Sequence, residues 1–285
     1  MTPRGDEALV TLLEAVMPTL VAFAFAFARI AAVLEMFPLF TTINLRGSLR
    51  LTVAIVLALP LVPVIEPQIA EMPDFTTATL LLIGAKELMV GAMLGILLAL
   101  PFWGVQAAGD IIDFSRGASA ANLADPVNAN EISIMGTVLL YAALAIFVVV
   151  GGVLALVDFV YDSYRVLPVT RLLPDLEFQL IPALGEMLTR LFVIGVLISG
   201  PLMLVMIMID LSLVFSSRIA KQIQATEFAV ILKGLATAAF VPLYAVFLEQ
   251  YLVEDWRELL QFARDVLGMS EGIGEPTREG GGDGR

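Results

Sequence analysis

From Leu191 to Ile209 the chain runs without a charged residue. That run is about the 20 apolar residues that one helical crossing of a bilayer requires. Five further stretches approach it, near 16–40, 51–65, 79–100, 132–157 and 229–253. The stretch 51–65 is short and contains Pro60 and Pro63, while 229–253 contains Lys233 and Pro242, so these two are expected to be kinked or re-entrant. The alternation Phe23-Ala24-Phe25-Ala26-Phe27-Ala28 has the period of a strand, but the apolar run around it is too long for one, so it reads as helix. The expected fold class is all-α: a polytopic membrane protein with about six hydrophobic helices, some broken or re-entrant. Membrane lipid is its first expected partner.

Composition agrees. Hydrophobic residues make up 59% of the chain, against roughly 45–50% in soluble domains. With no cysteine and no histidine, a disulfide framework, a thiolate zinc site, a cysteine nucleophile and imidazole chemistry are excluded. The net charge of −12 argues against nucleic acid as a partner, because such binding needs Lys and Arg against phosphates. No G-x-x-x-x-G-K-[ST] motif is present, so energy coupling by bound nucleotide is not expected of this chain. No catalytic residues, cofactor or metal site are expected. Asp6, Glu7 and Glu14 stand where a signal peptide carries basic residues, and Arg29 interrupts the apolar run, so the first span is expected to stay in the protein.

One segment, about 101–131, departs from the membrane pattern. Gln106, Asp110, Asp113 and Gly117 recur at helical spacing, with Ile111, Ile112 and Phe114 spread over the remainder, which predicts an amphipathic helix. The small residues Gly117, Ala118, Ser119, Ala120 and Ala121 follow, and Asp125-Pro126 sets a turn. Asn128 and Glu131 fit a capping box, predicting that the next helix starts nearby. Such a connection must be water-lined or covered by protein, since lipid cannot satisfy its amides.

Charges inside the spans need partners. A charge at the centre of a span costs on the order of 3 kcal/mol, and the third span holds Lys86 and Glu87. Glu87 shares a face with Gly84 and Gly91, and Gly91 with Gly95 forms a G-x-x-x-G pair that permits close helix approach. Lys86, Glu87, Gly91 and Gly95 are therefore expected to pack this chain against a neighbouring subunit. Arg29 and Glu35 point differently and are expected to find separate partners. Met203, Met206 and Met208 read as packing or lipid contact. Beyond the last span, Trp256, Leu259, Leu260, Ala263, Val266 and Leu267 recur at three- and four-residue steps. The expected organisation is thus a membrane-embedded helical domain over 1–253, an amphipathic interfacial or partner-docking helix over 254–267, and a disordered acidic, Gly-rich tail over 268–285. Arg46, Arg50, Arg218 and Lys221 favour the first and fifth connections inside, against a weak overall bias.

Two functional classes stand on these residues. A secondary transporter or permease would use buried Lys86 and Glu87. A structural subunit of a larger membrane assembly would use the small-residue faces and the polar Gly/Ala connection. An intramembrane protease fits poorly, because Gly109-Asp110 precedes Tyr161-Asp162 in an order opposite to that family's, and position 107 is alanine.

The run KELMVGAMLG (86–95), AGDIIDFSRGASAA (108–121) with the Asp125-Pro126 turn, and YDSYRVLPV (161–169) together resemble the inner-membrane T subunit of the type III secretion export apparatus, the SctT family, whose flagellar counterpart is FliR. Asp113 with Arg116-Gly117 and the Tyr161/Tyr164 segment resembles the secretion branch more than the flagellar one. The resemblance implies a structural and gating subunit that assembles with the R and S subunits into a helical pore complex through which unfolded secreted proteins pass. It implies a multi-pass protein of the bacterial inner membrane, with the switch (U) subunit near the 254–267 helix. It places a pore plug or gate over about 104–126, carried by Gly104, Gly109, Asp110, Asp113, Arg116, Gly117, Ala118, Ser119, Ala120, Ala121, Asp125 and Pro126. Tyr161 and Tyr164 read as interfacial anchors.

Overall fold

Every described element of this chain is a helix. The computed structural model describes residues 5–42, 47–70, 76–117, 133–171, 180–219 and 225–266. Helix α1 (Gly5–Met36) is followed by the short α2 (Pro38–Thr42). Phe37 belongs to neither, as the residue before a proline is pushed out of the α region. Next come α3 (Ser48–Ala58), a 3-10 turn at Leu59–Leu61 that contains Pro60, and α4 (Val62–Ala70). Ser48–Ala70 thus forms one apolar stretch of 23 residues, tightened at its proline rather than folded back on itself.

The long elements are α5 (Thr77–Arg116), α8 (Leu180–Ile219) and α9 (Ala225–Val266), of 40, 40 and 42 residues. Between the first two lie α6 (Ile134–Val149) and α7 (Gly152–Val166). Among the described residues five stretches are long and apolar enough to cross a bilayer, or six if α6 and α7 count as one bent span. The chain is an all-α polytopic membrane protein, as the sequence predicts.

Three boundaries differ from expectation. The third span and the amphipathic segment after it form one helix, because Pro101 sits inside α5 without ending it. Membrane helices tolerate an internal proline when packed neighbours and local adjustment satisfy the freed carbonyl, and Pro101 is buried. The break falls in the fourth stretch instead: α6 and α7 meet at 76°. Gly151 adopts φ +81 there, and a Cβ on Gly152 would lie 2.2 Å from the Phe147 ring, so the elbow requires both glycines. Finally, 254–266 continues α9 without interruption.

Helix α5 is the axis, packed on α1 along its first half and on α6, α8 and α9 further on. A Cβ on Gly91 would sit 2.3 Å from the Arg29 carbonyl oxygen, and one on Gly95 would sit 2.7 Å from the Met36 Cβ, so α1 lies directly on this face. Midway, Phe102 meets Phe37 and Phe147, both at 5.3 Å between centroids, and Trp256 at 5.8 Å. Edge-to-face pairs of this kind contribute about 0.5–1.5 kcal/mol each beyond area burial. This aromatic cluster joins the α1–α2 junction, α5, α6 and α9. Within 254–266, Trp256 and Leu259 are thereby buried against the chain's own core.

Candidate functional site

Two polar clusters lie toward opposite ends of α5. Glu87 and Asp113 mark them, 26 residues or about 39 Å apart along the helix axis.

Near the end of α5 stand the residues that the sequence assigns to a gate. Gly104 faces Ile194 of α8, where a Cβ would approach the Ile194 Cγ2 to 2.8 Å. Gly109 crosses α6 at Gly136, where a Cβ would lie 2.4 Å from backbone atoms, so the two helices touch through their glycines. Asp110 is exposed beside Gly136. Asp113 is buried and organises the region: its Oδ2 accepts from the Ser133 hydroxyl at 2.9 Å and from the Met135 amide at 2.8 Å. Its Oδ1 forms an ion pair with Arg116 at 3.0 Å. Ser133 is itself the N-cap of α6, accepting from the Gly136 amide. A carboxylate over the first turn of α6 also meets the positive end of that helix.

Gly117 closes α5 in the left-handed region, with φ +86 and its amide bonded to the carbonyls of Asp113 and Phe114. Lys233 of α9 donates to the Ser115 carbonyl at 3.1 Å and pairs with Asp210 of α8 at 2.7 Å. The described residues on both sides of 118–132 are thus tied to each other and to the α8–α9 hairpin. Ala118, Ser119, Ala120, Ala121, Asp125 and Pro126 lie outside the described residues, as do Asn128 and Glu131 of the expected capping box. The described start of α6 is capped by Ser133.

The second cluster surrounds Glu87. Arg29 of α1 is fully buried, donating to Glu87 at 2.6 Å, to the Ser163 hydroxyl at 3.0 Å and to the Leu167 carbonyl at 2.8 Å. Its guanidinium also stacks on Tyr164, 3.9 Å from the ring centroid. Lys86 pairs with Glu87 at 2.6 Å and donates to the carbonyls of Pro168, Val169 and Arg171 at 3.0–3.1 Å. Two cations, one carboxylate and four backbone carbonyls therefore pin the segment after α7 onto α1 and α5. Glu35 takes a separate partner, Arg50.

Lys86, Glu87, Gly91 and Gly95 were expected to face another subunit, and in the structure they meet α1 and the 167–171 segment of the same chain. Tyr164 is no interfacial anchor either: it is buried and its hydroxyl donates to the Ala26 carbonyl. Tyr161 likewise donates to the Leu57 carbonyl. Sequence reasoning missed the partnership of Arg29 with Glu87. The signal was present, since each is an ionisable residue inside a span and needs an opposite charge. Lys233 was noted as a charge in the last span, but its target, a backbone carbonyl at the end of another helix, leaves no mark in sequence.

The sequence pattern described as bacterial export proteins, family 1, matches residues 20–259, which include both clusters. The chain is 29% identical over 222 residues to the surface presentation of antigens protein SpaR of Salmonella typhimurium, covering 78% of this chain and 81% of that one. It is 27% identical over 205 residues to the Yop proteins translocation protein T of Yersinia pestis, covering 71% and 78%. It is 28% identical over 204 residues to the flagellar biosynthetic protein FliR of Bacillus subtilis, covering 71% and 77%.

Proposed function

From its place in the bacterial export proteins, family 1, to which this chain belongs, we propose that it is the subunit that builds and gates the export pore together with the R and S subunits. It is a T-type component of type III secretion and flagellar export and a multi-pass protein of the bacterial inner membrane. Unfolded secreted proteins would be its cargo, and the switch subunit a further neighbour.

The observation that carries this reading is helix length against bilayer thickness. Exposed apolar residues run along α8 from Leu188 to Phe215. At 1.5 Å per residue this is about 40 Å, whereas the hydrocarbon core measures about 30 Å. Hydrocarbon cannot cover all of that surface unless the helix lies strongly tilted. Neighbouring protein helices can, and in this reading R and S subunits supply them.

The end of α5 suits a gate for diverse polypeptides. It is tied on both sides of 118–132 by Asp113 and braced by Lys233, while Gly117 turns the chain with open space around its Cβ position. A small-residue connection held at both ends can close against ions without forming a sticky pocket. The permease alternative loses its residues, because Lys86 and Glu87 are engaged by internal partners.

Native mass spectrometry of the tagged chain, extracted in mild detergent from cells carrying the neighbouring membrane genes, tests the assembly. A discrete hetero-oligomer with other small membrane proteins is expected, and a stable monomer or homodimer would overturn it. Deleting Gly117–Ala121 should make membranes containing the complex leaky to small ions, and unchanged conductance would count against the plug.

A further inference from the structure

Between Phe228 and Leu248 of α9, Lys233 is the sole charged residue. A charge inside a span is costly and calls for a reason. Fastening α9 to α8 does not require it, because the Tyr244 hydroxyl already donates to the Ile198 carbonyl and Arg190 already pairs with Asp255 and Glu258. Lys233 is buried, pairs with Asp210 at 2.7 Å within the α8–α9 hairpin, and reaches out of that hairpin to the Ser115 carbonyl at 3.1 Å.

The contact between Lys233 and Ser115 is one that can open without stranding either side. Ser115 stands in the last turn of α5, where carbonyls lack partners within the helix. The Gly117 amide takes the carbonyls of Asp113 and Phe114, which leaves that of Ser115 to an outside donor. A cation there also meets the negative end of α5. On release, the half-buried Ser115 passes its carbonyl to water, and Lys233 keeps Asp210, whose side chain is 48% exposed. The other polar ties of α5 behave differently. Separating Arg29 from Glu87 leaves two fully buried charges uncompensated, and withdrawing Asp113 strands the Met135 amide.

We infer that Lys233 is the latch of the gate: it holds the end of α5 against α9 in the closed state, and export begins when the α8–α9 hairpin carries it off the Ser115 carbonyl. Lys233 is a positioning residue, acting on the 118–132 connection through the last turn of α5. The inference rests on the gate reading and adds to it the means of release. The hairpin is suited to act as the lever, because Leu211 and Phe215 of α8 and Ile231 and Leu235 of α9 lie exposed around the Lys233–Asp210 pair, where a neighbouring subunit engages them.

The test is small-ion leakage and secretion in cells carrying the assembled apparatus. Lys233→Met should raise leakage about tenfold or more, the effect of removing one charge-assisted hydrogen bond from the closed state, with assembly at the wild-type level by native mass spectrometry. Lys233→Arg, which keeps the charge and the donors, should stay tight. The decisive readout is repair. The chain has no cysteine, so Ser115→Cys combined with Lys233→Cys can be joined by a short bifunctional thiol reagent. That double variant should leak, and joining should reseal the membrane and stop secretion, which a merely structural lysine does not predict. The Gly117–Ala121 deletion, measured alongside, separates the two readings. A leaky deletion beside a tight Lys233→Met variant would overturn the latch and leave the gate standing, whereas tight membranes in both would overturn the gate and the latch with it. Leakage that joining does not repair, or failure of the Lys233 variants to assemble, would make Lys233 a structural brace and overturn the inference.

Discussion

The Arg29 guanidinium and the Glu87 carboxylate lie 2.6 Å apart, and neither side chain is exposed. Fifty-eight positions separate them in the chain, so the pair closes α1 onto α5 as the Gly91 and Gly95 contacts do sterically. Removing one partner of a buried pair costs about 3–5 kcal/mol, because the other charge is left uncompensated. Glu87→Ala is therefore expected to lower the unfolding temperature in detergent severely and to reduce accumulation of the chain. Lys86→Met should cost less, since Lys86 is partly exposed and leaves Glu87 paired with Arg29. A Glu87→Ala protein as stable as wild type would contradict this account of the α1–α5 contact.

Glycines along α5 separate by mechanism. Gly109→Ala forces a methyl group against the Gly136 backbone, and Gly91→Ala against the Arg29 carbonyl. Neither obstacle is a flexible side-chain end, so each substitution should destabilise by about 1–3 kcal/mol. Gly117→Ala meets no atom within 4 Å, and only its φ of +86 opposes the change, at about 1–2 kcal/mol. Thermal unfolding of the three variants should rank Gly117→Ala mildest, and the reverse order would show that the helices do not approach as described.

Asp113 holds the start of α6. Asp113→Ala removes the acceptor for the Met135 amide and for the Ser133 hydroxyl, and a buried donor left alone costs about 1–3 kcal/mol. Amide exchange at Met135, Gly136 and Thr137 should accelerate in that variant. Asp113→Asn keeps a carbonyl oxygen and should show a smaller effect. Identical exchange in all three proteins would remove Asp113 from its proposed place at the root of the gate.

A pH dependence arises at the far end of α9, beyond the last apolar span. Burial pushes the Asp255 carboxyl above its ordinary range, and the Arg190 charge and hydrogen bond only partly oppose it, while Glu258 adds to the rise. The folded form therefore holds the proton more tightly than the unfolded chain does. Its contribution to stability is complete below the unfolded carboxylate value, about pH 4, and is lost as pH rises through the elevated folded value. Relative to Asp255→Asn, the wild type should gain stability as pH falls from neutral toward that range. Unfolding temperatures of the two proteins measured across the range check it, and a difference that grows in the opposite direction would refute it.

Much of the fold is legible in the sequence because hydropathy alone dictates spanning helices. Where the helices end is less so. Pro242 reads as a place for a kink, yet it lies within a continuous helix, and the third stretch, expected to end near 100, continues through Pro101 to Arg116. The true elbow at Gly151 looks like an ordinary glycine pair inside an apolar run, and its geometry depends on the Phe147 ring. The close-approach face of Gly91 and Gly95 was readable, but its partner was not, since a G-x-x-x-G pair specifies proximity without saying to which helix. Trp256 illustrates the same limit: its periodicity predicts a buried face, and only the fold shows that Phe37, Phe102 and Phe147 bury it.

The central claim is that protein, as well as lipid, covers the long apolar face of α8. The chain lacks cysteine, so single cysteines at Phe192, Leu204 and Phe215 of α8 would each report one contact by cross-linking in the assembled apparatus. The outer two lie 23 residues or about 35 Å apart, which exceeds the hydrocarbon core of about 30 Å. Adducts with neighbouring export subunits at one or both ends of that span are predicted, and contact with lipid alone at all three positions would contradict the account.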